Sequence, residues 1–221
     1  MTGTSHDLLV VASTEREASC FRDVGIPVVV SGVGRVNAAI STTLALAGRT
    51  GDAPPPLVVS AGIAGALPSE DGTPAVPIGA VVLGAAAHAA EEGIQTPSGF
   101  RTIGELGFPI ASFAPDNRIP ADPEGLARLR SALPDAHVGD IATVATCSGT
   151  DALAVEIARR TTAIAEAMEG AGVLHAARLL GGRAVEIRVI SNTTGDRDRQ
   201  VWRLDDAFAR LAEVAHSLVG L

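Results

Sequence analysis

Short apolar runs alternate with amphipathic stretches along most of the chain, and this alternation predicts a fold before any motif is considered. Positions 8–12, Leu-Leu-Val-Val-Ala, form a continuous apolar run of strand length, as a buried strand does. Ser13 or Thr14 can cap the helix that follows, with Glu15 and Glu17 in its first turn. Positions 26–30 predict a second strand, ending in a glycine-bearing turn at 31–39 that enters a helix reaching about position 47. A turn-rich loop at 51–56 precedes a strand at 57–60. Ala61 to Leu67 then interrupt the pattern with Gly62 and Gly65, where backbone can approach a ligand closely. After a polar loop at 69–77, position 78 begins a strand that continues toward His88 and Glu91.

Positions 92–120 are rich in Gly and Pro and predict irregular structure with one short strand. The alternation then resumes with a helix at 123–133, a strand at 136–145 and a helix at 150–160. A short apolar run at 161–168 stops at Glu169, and small residues open a helix through Val173, Leu174 and Ala177. A strand at 183–191 and an amphipathic helix at 204–218 close the pattern. With no repeat and no linker, residues 1–221 predict one domain, a three-layer α/β/α sandwich around a central mixed, largely parallel sheet.

Composition narrows the class. Hydrophobic residues make up 47% of the 221 positions, enough for a sizeable core. The 17 basic residues are all Arg, the net charge is −8 and no basic block exists, so nucleic acid is excluded as a partner. Cys20 and Cys147 make no disulfide framework, and His6, His88, His137, His175 and His216 lack ligand spacing; no metal or other cofactor is expected. The apolar run at 8–12 is too short for a signal peptide or membrane span, which gives a cytoplasmic protein without a membrane partner as the expectation.

Several motifs then fail on inspection. Gly32-Val33-Gly34-Arg35-Val36-Asn37 follows a strand, but a dinucleotide fingerprint needs Gly or Ala at position 37 and belongs to the first strand–helix unit. No Gly-x-Ser-x-Gly elbow is present. Cys147 beside Ser148-Gly149-Thr150 reads as a small loop-lining residue before a capped helix rather than a nucleophile. Three polar residues remain at strand ends. Glu17 could act as general base on a water, Glu169 could accept from two vicinal sugar hydroxyls with Met168 as an apolar shelf, and Asn192 could donate to and accept from a base edge. Taken alone, the stretch around Glu169 favours the simpler reading, an acid in the first turn of a helix.

Together with their surroundings, these residues resemble the nucleoside phosphorylase/nucleosidase superfamily, and most closely the branch that includes methylthioadenosine/S-adenosylhomocysteine nucleosidases and futalosine hydrolases. The resemblance spans essentially the whole chain. Val10 to Glu17 resemble the first strand and its acidic run, which implies that Glu17 activates water. Ser31 to Ala39 resemble the Gly-x-Gly-Lys-x-x-Ala-Ala turn, with Arg35 for Lys. Gly62-Ile63-Ala64-Gly65 resembles the Gly-Ser-Ala-Gly loop along the nucleoside, with Ile63 in place of Ser. Ile78-Gly79-Ala80-Val81-Val82 resembles the Val-Gly-Asp-Ile-Val strand. Glu166-Ala167-Met168-Glu169 resembles the Val-Glu-Met-Glu signature, whose last acid binds the ribose; Ala167 removes the first acid.

Arg188-Val189-Ile190-Ser191-Asn192 resembles Arg-x-Ile-Ser-Asp, in which the Asp protonates purine N7. Asn192 at that position suits a 6-oxopurine, whose oxygen and N7 can accept from an amide. The sequence from Ser191 through Arg203 resembles the futalosine hydrolases, as does 165–170. The resemblance therefore implies release of hypoxanthine from futalosine in menaquinone biosynthesis. It implies Glu17 and Asn192 as catalytic residues, Ile63, Ala64, Gly65, Thr146, Cys147, Met168 and Glu169 around a purine nucleoside, and a homo-oligomer. Hexameric phosphorylases carry a phosphate-binding Arg two residues before the Gly-Ser loop; here that position is Ser60, which favours water over phosphate. An adenine-releasing nucleosidase, a phosphorylase and a nucleoside-binding protein without turnover are the alternatives. For the benzoate end of futalosine, positions 100–113 and Arg197, Arg199 and Arg203 are candidates by chemistry only.

Overall fold

A computed structural model describes residues 8–48 and 54–221; positions 51–53 of the expected loop, and His6, lie outside the described residues. The chain order is β1 (Leu8–Ala12), α1 (Glu15–Arg22), β2 (Val28–Val30), α2 (Arg35–Ala47), β3 (Leu57–Ala66), β4 (Val81–Ala89), β5 (Gly93–Thr96), β6 (Gly99–Thr102) and β7 (Arg118–Pro120). It continues with α3 (Pro123–Ala132), β8 (His137–Thr143), α4 (Asp151–Thr161), β9 (Ala165–Ala167), α5 (Gly170–Leu179), β10 (Arg183–Thr193) and α6 (Leu204–Ser217). A single 3₁₀ turn at Arg197–Arg199 precedes α6.

The main sheet is mixed, with β1–β2, β1–β3, β3–β10, β4–β8 and β8–β9 parallel and β4–β10, β3–β9 and β4–β7 antiparallel. Strands β3, β10, β4, β8 and β9 close on one another as a ring, because β9 returns to pair with the end of β3. Strands β1 and β2 extend the sheet outward from the first half of β3. Helices cover both faces, as the alternation of apolar positions requires. Val10, Leu57, Val59, Val185 and Ile187 pack toward Phe21 of α1, Leu129 of α3 and Leu211 of α6. Val11, Val58 and Ala184, on the opposite face, meet Ala38 of α2 and Leu174 of α5. A third cluster takes Ala64, Val82, Ile141, Ala165 and Ile190 from the five strands of the ring.

Two expectations change. Strand β3 does not break at Ala61 but runs to Ala66, glycines included. It can do so because β10 follows it along one edge from Leu57 to Ala66, while β1 pairs with Leu57–Ser60 and β9 with Gly65 and Ala66 on the other. Positions 92–120 hold three short strands rather than one, with β5 and β6 forming a separate hairpin and β7 pairing with β4. No described helix is long and apolar enough to cross a membrane.

One polar cluster ties β4, β7 and β8 together. Asp140 on β8 accepts from Arg118 through both oxygens, at 2.7 and 2.9 Å, and meets His88 Nε2 at 2.9 Å. Burial opposes ionisation of Asp140, but the His88 and Arg118 contacts outweigh it and hold its pKa down to about 2. A depressed carboxyl stabilises the fold above its unfolded value and loses that contribution as pH falls toward the folded value. Asp140→Asn should therefore cost about 1–2 kcal/mol at neutral pH, discounted for the half-exposed Arg118. In urea unfolding, the gap between wild type and variant should close between pH 4 and about 2.

Candidate active site

Glu17 is buried at the third position of α1, where it completes a capping box. Its Oε2 accepts from Ser13 Oγ at 2.5 Å, Thr14 Oγ1 at 2.8 Å and Thr14 N at 3.0 Å. Its Oε1 accepts from Ile63 N at 3.1 Å, which leaves an acceptor position on that oxygen. The helix start thus aims one carboxylate oxygen at β3. Gly62 makes the room: a Cβ there would lie 2.3 Å from Glu17 Oε1 and 2.8 Å from Arg188 Nη1.

Arg188, on β10, is the cation of the site and is almost wholly buried. Its Nε meets Glu186 Oε1 at 2.9 Å, Nη1 meets Glu169 Oε2 at 3.2 Å and Nη2 donates to Ser60 Oγ at 3.1 Å. Desolvation works against its charge, but Glu186, Glu169 and Glu17 more than restore it and its pKa is raised. Glu169 precedes α5, yet its side chain makes no capping bond. It reaches across instead to accept from Gly34 N at 3.0 Å, at the start of α2. The simple reading of Glu169 as a helix-start acid is thereby replaced. Three carboxylates from α1, β10 and the β9–α5 turn surround one guanidinium.

Asn192 lies farther along β10, at the register shift between Ile190 and Asn192. Ser191 Oγ donates to its Oδ1 at 2.8 Å, and Nδ2 donates to Thr193 O at 2.9 Å, leaving one N–H of the amide. Gly65 faces it; a Cβ there would lie 2.8 Å from Thr194 Cγ2 and 3.1 Å from Asn192 Nδ2. Ala64 contributes its carbonyl to Ser191 Oγ at 3.2 Å. The two glycines of β3 therefore admit protein side chains, Glu17 and Arg188 at Gly62 and Asn192 at Gly65.

Around this line, Met168 is half-buried against Leu67, Val144 and Ile157. Glu166 accepts from Ser148 N at 2.8 Å and Ser148 Oγ at 2.6 Å; burial and then Glu91 hold its pKa up. Thr146 and Cys147 are exposed on the loop after β8. The amides of Ala145 and Thr146 donate to Glu91, which also meets Arg35 at 3.2 Å. The Cys147 thiol is raised by desolvation and then by Glu166, Glu169 and Glu91, the reverse of what a nucleophile needs. The loop before α6 is laced to the loop before α4: Arg197 N donates to Gly149 O at 3.0 Å and Gln200 Nε2 to Ser148 O at 3.0 Å. Arg199 pairs with Asp151 and Asp196, and Arg203 with Asp206. Arg197 instead stacks 4.7 Å over Trp202.

Sequence reasoning gave no role to Arg188 or Glu186. Their signal was a Glu-x-Arg pair on one face of an otherwise apolar strand, where charge is expensive unless paired. A cavity of about 530 Å³ lies beside this line rather than on it, between Val36 and Ile40 of α2, Ala171 and His175 of α5 and the segment carrying Phe108. It touches Arg35 but none of Glu17, Glu169 and Asn192.

The mixed α/β domain with this sheet has the nucleoside phosphorylase/nucleosidase fold. The phosphorylase superfamily matches residues 20–220. A futalosine hydrolase of Streptomyces coelicolor is 37% identical over 200 residues, covering 88% of this chain and 78% of that protein. A futalosine hydrolase of Acidothermus cellulolyticus is 40% identical over 156 residues, 70% of this chain and 61% of its relative. In fold, the 5′-methylthioadenosine/S-adenosylhomocysteine nucleosidase of Neisseria meningitidis, solved with methylthio-immucillin-A, matches with a TM-score of 0.76 at 20% identity, over 97% of this chain and 99% of that one. The chain belongs to the phosphorylase superfamily and, within it, to the futalosine hydrolase family.

Proposed function

We propose that the protein is an N-ribosyl hydrolase that cleaves futalosine to hypoxanthine and dehypoxanthine futalosine, a step of menaquinone biosynthesis. The observation that carries this reading is the convergence of Glu17 and Glu169 on Arg188 over Gly62, with Asn192 farther along the same strand pair. The kinship with futalosine hydrolases supports the choice of substrate. Glu169 grips the ribose hydroxyls, with Met168, Ile63 and Ala64 beside the sugar. The purine departs through an oxocarbenium-like transition state, and the free amide N–H of Asn192 stabilises it at N7 or O6. Glu17 takes the proton of the attacking water. Thr146, Cys147 and Gly65 line the base.

Water rather than phosphate is the nucleophile in this reading. Ser60 is fully buried and held by Arg188, while Arg35 is engaged by Glu91 and Glu92, so neither is free to clamp an anion. Incubation with futalosine, inosine and methylthioadenosine, with and without phosphate, should give hypoxanthine from futalosine fastest and without phosphate. Adenine release from methylthioadenosine as the fastest reaction, or strict phosphate dependence, would overturn it; tight nucleoside binding without base release would make the protein a binder.

In the same assay, Glu17→Gln and Asn192→Ala should each lower kcat by about a hundred- to ten-thousand-fold, with circular dichroism unchanged. Glu169→Ala should harm ribonucleosides far more than 2′-deoxy analogues. Near-normal turnover by Glu17→Gln would remove it as the base.

The active form is a homo-oligomer in this reading. Val36, Ile40 and Leu44, one turn apart on α2, are 67, 54 and 68% exposed, an apolar stripe of the kind that marks a protein contact. Ile40→Asp should reduce the mass measured by sedimentation; a monomeric wild type would contradict the assignment.

A further inference from the structure

Glu186 is fully buried in the middle of β10, and one of its oxygens, Oε2, has no hydrogen-bond partner. The fold makes space for it twice. Its register partner on β4 is Gly84, where a Cβ would stand 3.2 Å from Glu186 Cβ. At the start of α5, a Cβ on Gly170 would lie 2.0 Å from Glu186 Oε2. An ion in such a place is costly, and replacing a buried pair by apolar side chains of similar volume is often neutral or stabilising. Packing alone gives no reason for an acid here.

Its one polar contact gives the reason. Glu186 and Arg188 share a face of β10, and Glu186 Oε1 holds Arg188 Nε at 2.9 Å. A guanidinium is planar and rigid, so pinning Nε fixes where both terminal nitrogens point. Nη2 then meets Ser60, and Nη1 meets Glu169 Oε2 at 3.2 Å next to the gap over Gly62 that Glu17 enters. With the guanidinium so placed, Glu169 holds it through one oxygen only and gives the other to Gly34 N. Ser60 occupies Nη2 and so closes the Nη1/Nη2 fork to Glu169; released from Glu186, the guanidinium could turn out of this plane and the arrangement at Nη1 would be lost.

We infer that Glu186 is a positioning residue for ribose recognition: by holding Arg188 Nε it fixes the guanidinium plane, so that Nη2 stays on Ser60, Nη1 meets one oxygen of Glu169, and that carboxylate stays oriented for the sugar hydroxyls. This rests on the assignment of Glu169 to the ribose. Loss of Glu186 should erase sugar discrimination while leaving the fold intact.

The test compares inosine with 2′-deoxyinosine in wild type, Glu186→Leu and Glu186→Gln. The ratio of kcat/KM for ribose over deoxyribose should fall roughly tenfold or more in Glu186→Leu, with Tm lowered because Arg188 stays buried without one of its acids. Glu186→Gln, whose amide oxygen still accepts from Arg188 Nε, should recover most of the ratio even if Glu186→Leu does not fold. An unchanged ratio in Glu186→Leu, or in Glu186→Gln an equal loss of ratio and stability, would overturn the role. Wild-type base release, measured alongside, separates this outcome from failure of the proposed reaction. Should wild type release no base, calorimetric affinities for the same two nucleosides carry the same comparison, and a ribose preference that survives Glu186→Leu would overturn it there.

Discussion

The structure turns on a single buried guanidinium. Arg188 joins parts of the chain that are far apart in sequence: Ser60 on β3, Glu169 before α5 and Glu186 on its own strand, with Glu17 of α1 close enough to raise its pKa. Without the cation these acids would repel one another in a dry interior. With it, their mutual repulsion becomes a means of holding each one in a defined direction. Such a cluster is weak evidence for stability, because apolar side chains of similar volume in place of the whole cluster would often be as stable.

Local helix chemistry and the site share atoms. Glu17 caps α1 with one oxygen and meets β3 with the other. The rule that places an acid at the third position of a helix therefore also delivers a carboxylate to Gly62. Glu169 does the opposite: it stands where a cap belongs and declines that role, bonding instead to the amide that opens another helix. Only the second case departs from local preference, and such departures gather at functional sites.

The layers were legible because apolar periodicity reports which face of an element is buried. Val10 and Val11, adjacent in sequence, do pack on opposite sides of the sheet. The course of β3 was not legible, since Gly62 and Gly65 look like breaks until Glu17, Arg188 and Asn192 are seen filling their places. Positions 92–120 gave little because β7 depends on Ala86 to His88 for its pairing, and β5 and β6 are four-residue strands, without a buried residue, that pair only with each other. The acids at 17 and 169 could be named from the sequence, but their link through Arg188, and the presence of Glu186 behind it, depend on a register between β3 and β10 that no local pattern encodes.

The closed ring has a consequence for the order in which the molecule can be made. Strand β10 is the last strand of the chain, and it pairs with β3 on one side and β4 on the other. A nascent chain that has emerged only as far as α5 has a gap in the ring, two bare strand edges and acids at 17 and 169 with no Arg188 to sit between them. Ring closure and charge neutralisation arrive together in one step, the pairing of β10. The chain thus carries its own checkpoint: the acid cluster can reach its final geometry only once β10 has joined β3 and β4.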